Sequence, residues 1–264
     1  MSGHSKWAKI KRQKGANDVK KGAIFTKLGR NITLAAKEGG GDMDTNFALR
    51  IAVDKAKAVN MPSDNIDRSI KKGIGGDDKS VFQKISYEAI VAGVAVLIDC
   101  QTDNTNRTVS EVKKILEMSG AKLASPGSIN WQFSEKGLIV IRPEKLKKSE
   151  KFGGKDTYTA LSKEDVEMAL LDIEGIEDIE EDEYEDEEEG KFSVLLVTTS
   201  KNDFAKALKE IEKLEFRIVS FELIRKANDH IAVDDSTSEK LEKLVTNLED
   251  HDDVDAVWTN IKEK

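Results

Sequence analysis

The sequence predicts an α+β protein of three domains: a basic three-helix unit, then two ferredoxin-like α/β domains, the third inserted in the second. Three observations predict it. Apolar residues recur at helical spacing as far as about residue 74, and strand-like runs then alternate with amphipathic helices. The charge changes sign at the same place. Residues 1–78 carry 16 Lys+Arg against 9 Asp+Glu, whereas residues 79–264 carry 26 against 41. Finally, 264 residues are more than one core usually holds. The expected boundaries are 1–78 for the basic arm and helices, 79–134 with 231–264 for a discontinuous α/β domain, and 135–230 for the inserted βαββαβ domain.

Residues 1–17 hold Trp7 and Ile10 among five Lys/Arg, too little apolar surface to fold alone, which predicts a tail that orders on a partner. From Asp18, a candidate N-cap, to the stop at Gly39–Gly41, the residues Ile24, Phe25, Leu28, Ile32, Ala35 and Ala36 share one helical face. Lys20, Lys27, Arg30 and Lys37 fall on the other side. A second helix, about Thr45 to Asn60, packs through Phe47, Ala48, Ile51, Ala52, Ala56 and Val59 and is broken at Met61-Pro62. A third runs from a Ser63 cap through Ile66 and Ile70, its Lys71-Lys72 placed where the helix dipole favours cations. Gly73 to Asp78 reads as a linker, with Gly73–Gly76 and Gly39–Gly41 as hinges.

Residues 82–91 and 93–100 read as paired strands, followed by a helix with a capping box at Thr108–Glu111 and a strand over Gly127–Phe133. The later order is strand Leu138–Arg142, helix Lys163–Ile173, acidic strand or loop Ile176–Glu183, strand Phe192–Thr198, helix Asp203–Leu214 and strand Arg217–Arg225. That is the split-βαβ plan. A last helix through Leu241, Leu244, Val245 and Leu248 and a strand Asp255–Ile261 have no partner in that completed unit, so they are assigned to the sheet at 79–134.

Function is read from charge. Lys6, Lys9, Lys11, Arg12, Lys14, Lys20, Lys21, Lys27 and Arg30 face only one acid, Asp18, in the first thirty residues. Phosphates are the natural counter-charge, because Lys and Arg displace condensed counterions whatever the base sequence. Trp7 offers a ring for stacking on an exposed base. The competing account is a solvated tail on a polar helix face. Asn104, Asn106 and Arg107, in the turn before the 108 helix, are candidates for holding an anion, against the plainer account of a cap and turn. Between Asp172 and Glu189 lie 13 Asp/Glu and no Lys/Arg, which suits a solvated hairpin edge or a surface for basic proteins.

Catalysis finds little support. His4, His230 and His251 are scattered, no phosphate-binding loop or nucleophile elbow is present, and neither metal nor cofactor is expected. Cys100 is a lone thiol in an apolar run, and no window has the apolar length of a membrane span, so a cytoplasmic protein, monomeric by preference, is expected.

Met1–Trp7 (MSGHSKW), Ile24–Leu28 (IFTKL), Ala36–Gly41 (AKEGGG), Asp54–Lys57, Asn60–Pro62 with Asp64–Ile66, and Thr102–Thr108 (TDNTNRT) together resemble the YebC family, which includes the mitochondrial translational activators of cytochrome c oxidase. The likeness is densest in residues 1–130. It implies a helical basic domain and two α/β domains around a cleft. It also implies either a DNA-binding transcriptional regulator or a factor acting in translation at the ribosome on ribosomal RNA. At Tyr87–Gly93 (YEAIVAG) the chain departs from the family's usual glycine-rich loop. Two other classes compete: a protein-interaction adaptor, and a hydrolase using the cleft.

Overall fold

A computed structural model describes residues 18–75, 82–149, 156–186 and 189–262, and the side chains from residue 22 onward. The expectations for residues 1–17 lie outside the described residues. Among those described, no helix is long and apolar enough to cross a membrane.

Helix α1 (Asp18–Gly39) ends where expected, with Gly40 at φ +86 in the left-handed region that closes helices. Helix α2 (Phe47–Ala58) is capped by Asn46 and is slightly shorter at both ends than the expected span of about Thr45 to Asn60. The buried Asn46 amide accepts from Leu49 N and donates to the carbonyls of Ala35 and Gly40, so it joins the end of α1 to the start of α2. Helix α3 (Ser63–Ile74) is capped at Pro62 without a side-chain hydrogen bond, which corrects the Ser63 cap. Ile32, Ala35, Leu49, Ala52, Val53, Ala56, Met61 and Ile66 form the core of this bundle.

Gly73 is neither linker nor hinge. It lies inside α3, and a Cβ there would sit 2.4 Å from the Thr33 carbonyl and 2.7 Å from Ala36 Cβ. Two helices meet backbone to backbone at this point. Gly73→Ala is therefore expected to destabilise the protein by about 1–3 kcal/mol through overpacking, outweighing the alanine's better helix propensity, as a lower urea midpoint at unchanged slope would record.

The described residues up to Ser134, with those from Lys226, form one compact unit, and Glu135–Arg225 form another. In the first, β1 (Gln83–Val91) and β2 (Val94–Thr102) make an antiparallel hairpin. Its two-residue turn, Ala92 (φ 49) and Gly93 (φ 84), has the positive φ values that match strand twist. Helix α4 (Thr105–Met118) leads to a short β3 (Lys122–Leu123), and the sheet is completed from the far end of the chain by α7 (Asp235–Glu249) and β9 (Val254–Thr259). Strand order is β3-β1-β2-β9. Val94, Val96, Ile98 and Cys100 of β2 pack under Val112 and Leu116 of α4 and Leu241, Leu244 and Leu248 of α7. Burial pushes the Cys100 thiol up to about 12, as befits a structural cysteine.

In the second unit, β4 (Phe133–Lys147), α5 (Lys163–Leu171), β6 (Ile176–Asp186), β7 (Gly190–Ser200), α6 (Phe204–Lys213) and β8 (Phe216–Ala227) give the order β8-β4-β7-β6. This is the split-βαβ arrangement. A short β5 (Thr157–Ala160), absent from the sequence reading, pairs with the end of β4. The acidic segment is an edge strand hydrogen-bonded to β7, and Glu189 at its turn pairs with Arg142 and Arg217. Charge on an exposed edge opposes strand addition.

Candidate nucleic-acid interface

The middle of the second face of α1 is not free. Lys27 Nζ donates to the Glu249 carbonyl at 2.5 Å, at the C-terminal end of α7 where the helix dipole is negative. Burial lowers its pKa from the ordinary lysine value, outweighing the pull of Asp252, Asp255, Asp250 and Glu249. Arg30 donates to the Asp252 carbonyl and to Asp253 Oδ1, each at 3.2 Å, and Asn31 donates to Asp255 Oδ1 at 2.7 Å. One turn and a half of α1 is thus clamped to the loop 249–255.

Asp253 is the centre of that clamp. Its side chain is only 3% exposed. Oδ1 takes Arg30, while Oδ2 takes Arg107 Nη2 at 2.8 Å, the Thr108 hydroxyl at 2.8 Å and the Thr102 hydroxyl at 3.1 Å. Its carbonyl also accepts from Gln101 N at 2.8 Å. Burial pushes the carboxyl's pKa up, but the hydrogen bonds from Arg107, Thr108 and Thr102 prevail and hold it below the usual aspartate value.

This geometry reassigns the turn at 103–108. Helix α4 begins at Thr105, capped by Asn104, whose side chain accepts from Arg107 N at 3.1 Å; the Thr108–Glu111 capping box is not formed because Thr108 bonds inward. Asn106 is exposed and its carbonyl accepts from Ser110. Arg107 also pairs with Asp103 at 3.0 Å. The anion that Arg107 grips is the chain's own Asp253.

Beside it, His251 Nδ1 accepts from Asp253 N at 3.1 Å, which leaves Nε2 to carry the proton toward Glu111 Oε2 at 2.9 Å. Glu111, His251 and Asp253 are close enough together to suggest a cation. Two guanidiniums already neutralise Asp253, however, and they would face such an ion.

Of the sequence-derived binding residues, Lys6, Trp7, Lys9, Lys11, Arg12 and Lys14 lie outside the described residues, as do the side chains of Lys20 and Lys21. Lys27 and Arg30 come together with Arg107 at the clamp, and Asn104 and Asn106 serve α4. Asp253 itself escaped the sequence reading. The available signal was the run Glu249–Asp255 (EDHDDVD), five acids at the end of a helix where cations are the favoured charges.

A basic helical unit clamped through its own cations to a discontinuous α/β sheet that carries an inserted ferredoxin-like domain defines a class of multidomain α+β proteins. Residues 5–76 match the family described as TACO1/YebC protein N-terminal domain, and residues 82–261 match TACO1/YebC second and third domain. The chain belongs to the TACO1/YebC family. It is 44% identical over 263 residues to a probable transcriptional regulatory protein of Borrelia garinii subsp. bavariensis, covering 99% of this chain and 98% of that one. It is 38% identical over 265 residues to a protein of the same description in Finegoldia magna, covering 98% and 100%. The crystal structure of a conserved hypothetical protein from Aquifex aeolicus superposes with a TM-score of 0.74 at 31% identity, over 94% of this chain and 93% of that one.

Proposed function

We propose that this chain is a cytoplasmic, non-enzymatic regulator that binds nucleic acid through its N-terminal arm, acting on DNA as a transcriptional regulator. The observation that carries the reading is the charge of residues 1–17, five Lys/Arg and no Asp/Glu, on a chain whose net charge is -8. A segment of that sign is attracted to phosphates, and the acidic body is repelled by them, so the charge-driven contacts are confined to one end. The names of the relatives agree with regulation of transcription.

In this reading Lys6, Trp7, Lys9, Lys11, Arg12, Lys14, Lys20 and Lys21 make the contacts. Lys27 and Arg30 hold α1 in place. Cross-linking in living cells followed by sequencing of the attached nucleic acid is expected to recover promoter-proximal DNA joined to residues 1–21. Recovery of ribosomal RNA alone at those residues would replace transcription with translation as the process regulated.

A further inference from the structure

Trp131 is 69% exposed, yet the loop that carries it is tied to the sheet by several hydrogen bonds. The buried Glu88 carboxylate of β1 accepts three backbone N–H groups from this loop: Gly127 at 2.6 Å, Ile129 at 2.5 Å and Asn130 at 3.1 Å. Burial alone would raise the Glu88 pKa, and these bonds bring it below the ordinary glutamate value. Ile129 is sunk in an apolar pocket with Ala95, Leu97, Phe133 and Ala227. From the other side Asn228 donates through Nδ2 to the Trp131 carbonyl at 3.0 Å and through its backbone to the Gln132 carbonyl at 2.8 Å. The Gly127–Phe133 strand expected from sequence does not form. Glu88 has captured the N–H groups a ladder would need, residues 130–132 make a 3-10 turn, and β4 begins only at Phe133.

The ring itself is fixed as well. Its indole N–H donates to the Ser128 carbonyl at 2.8 Å, so the one polar handle of the side chain is used internally. What remains for a partner is a flat π-face in a set orientation. Ser125, Pro126, Gly127, Ser128 and Asn130 around it in sequence are exposed and small or polar. A tryptophan that anchors a protein partner sits in an apolar, water-excluding surround. This one is flanked in sequence by exposed small and polar residues, as suits a ligand that is itself a flat ring with polar edges. An exposed, immobilised aromatic face with no free donor stacks on any base and reads none.

We propose that Trp131 is a stacking platform for an unpaired nucleobase, making the strand that the chain holds single-stranded or looped at that point. The proposal rests on the nucleic-acid reading and adds the form of the ligand. Trp131 contributes contact without charge, so its effect separates from that of the arm.

The test uses the full chain with a short mixed-sequence single strand, as DNA and as RNA, and the matching duplexes. Trp131→Ala is expected to weaken single-strand binding by about 10-fold, leave duplex binding within about twofold, and leave the slope of log affinity on log salt unchanged. Trp131→Phe is expected to recover most of the loss. Because the side chain lies outside the core, the unfolding midpoint should not move. Equal losses on single strand and duplex overturn the proposal. So does unchanged single-strand affinity in Trp131→Ala, including the case where the variant instead loses a co-purifying protein. If Lys-to-Ala changes in the arm weaken binding while Trp131→Ala does not, the platform fails and the nucleic-acid reading stands. If the unmodified chain binds none of the oligonucleotides, both fall together.

Discussion

Asp253→Ala is expected to lower the free energy of unfolding by about 2–3 kcal/mol, a loss a urea titration resolves easily. The change takes Asp253 away from Arg30 and Arg107 at once, Arg107 keeping Asp103, and leaves the Thr102 and Thr108 hydroxyls without their shared acceptor. The figure is set below the full cost of breaking a buried pair because Arg107 is 44% exposed and water takes over part of its solvation. The pH dependence follows from the same bonds. Asp253 titrates lower in the folded chain than when unfolded, so its stabilisation is complete above the unfolded value of about 3.9 and is lost as pH falls through the folded value. The stability gap between the native chain and Asp253→Ala should therefore be constant from neutrality to about pH 5 and close in stronger acid. A gap that persisted at low pH would mean that Asp253 acts by shape and not by charge.

Replacing Lys6, Lys9, Lys11, Arg12 and Lys14 with alanine is expected to have a still larger effect on binding. Each duplex phosphate neutralised adds about 0.9 to the slope of log affinity on log salt, so losing five contacts reduces the slope by about 4.5. Over a fourfold rise in salt the intact chain would then weaken roughly 500-fold more than the variant. Stability should be unaffected, since the change spares the core residues of α1, α2 and α3.

What the sequence made legible was local. The apolar stripe of α1, the near-continuous burial of β2 and the βαββαβ order of the second unit each follow from a period of 3.6 or 2 within one segment. The return of α7 and β9 to the first sheet was also readable, because a helix and a strand were left over after the inserted domain had closed on itself; that β9 pairs with β2 comes from the structure. The clamp was not readable. Lys27 and Glu249 are 222 positions apart, and a cation on the polar side of an amphipathic helix looks the same whether it meets water, phosphate or a distant carboxylate. The same blindness hid Glu88, whose hold on residues 127–130 replaces the strand expected there. Gly73 was misread for a related reason: a glycine that admits a neighbouring backbone and one that bends the chain have identical local signatures.

On the proposed reading the basic residues follow a division of labour, in which the arm meets phosphate while Lys27 and Arg30 of α1 meet the body of the protein. It is tested most directly by a salt titration of duplex binding for three chains: the native one, the five-alanine arm variant, and Lys27→Ala with Arg30→Ala. The expected result is a slope flattened by about 4.5 for the arm variant alone, and an unchanged slope with a lowered unfolding midpoint for the α1 pair. Flattening by the α1 pair, with the arm variant behaving as the native chain, would contradict it.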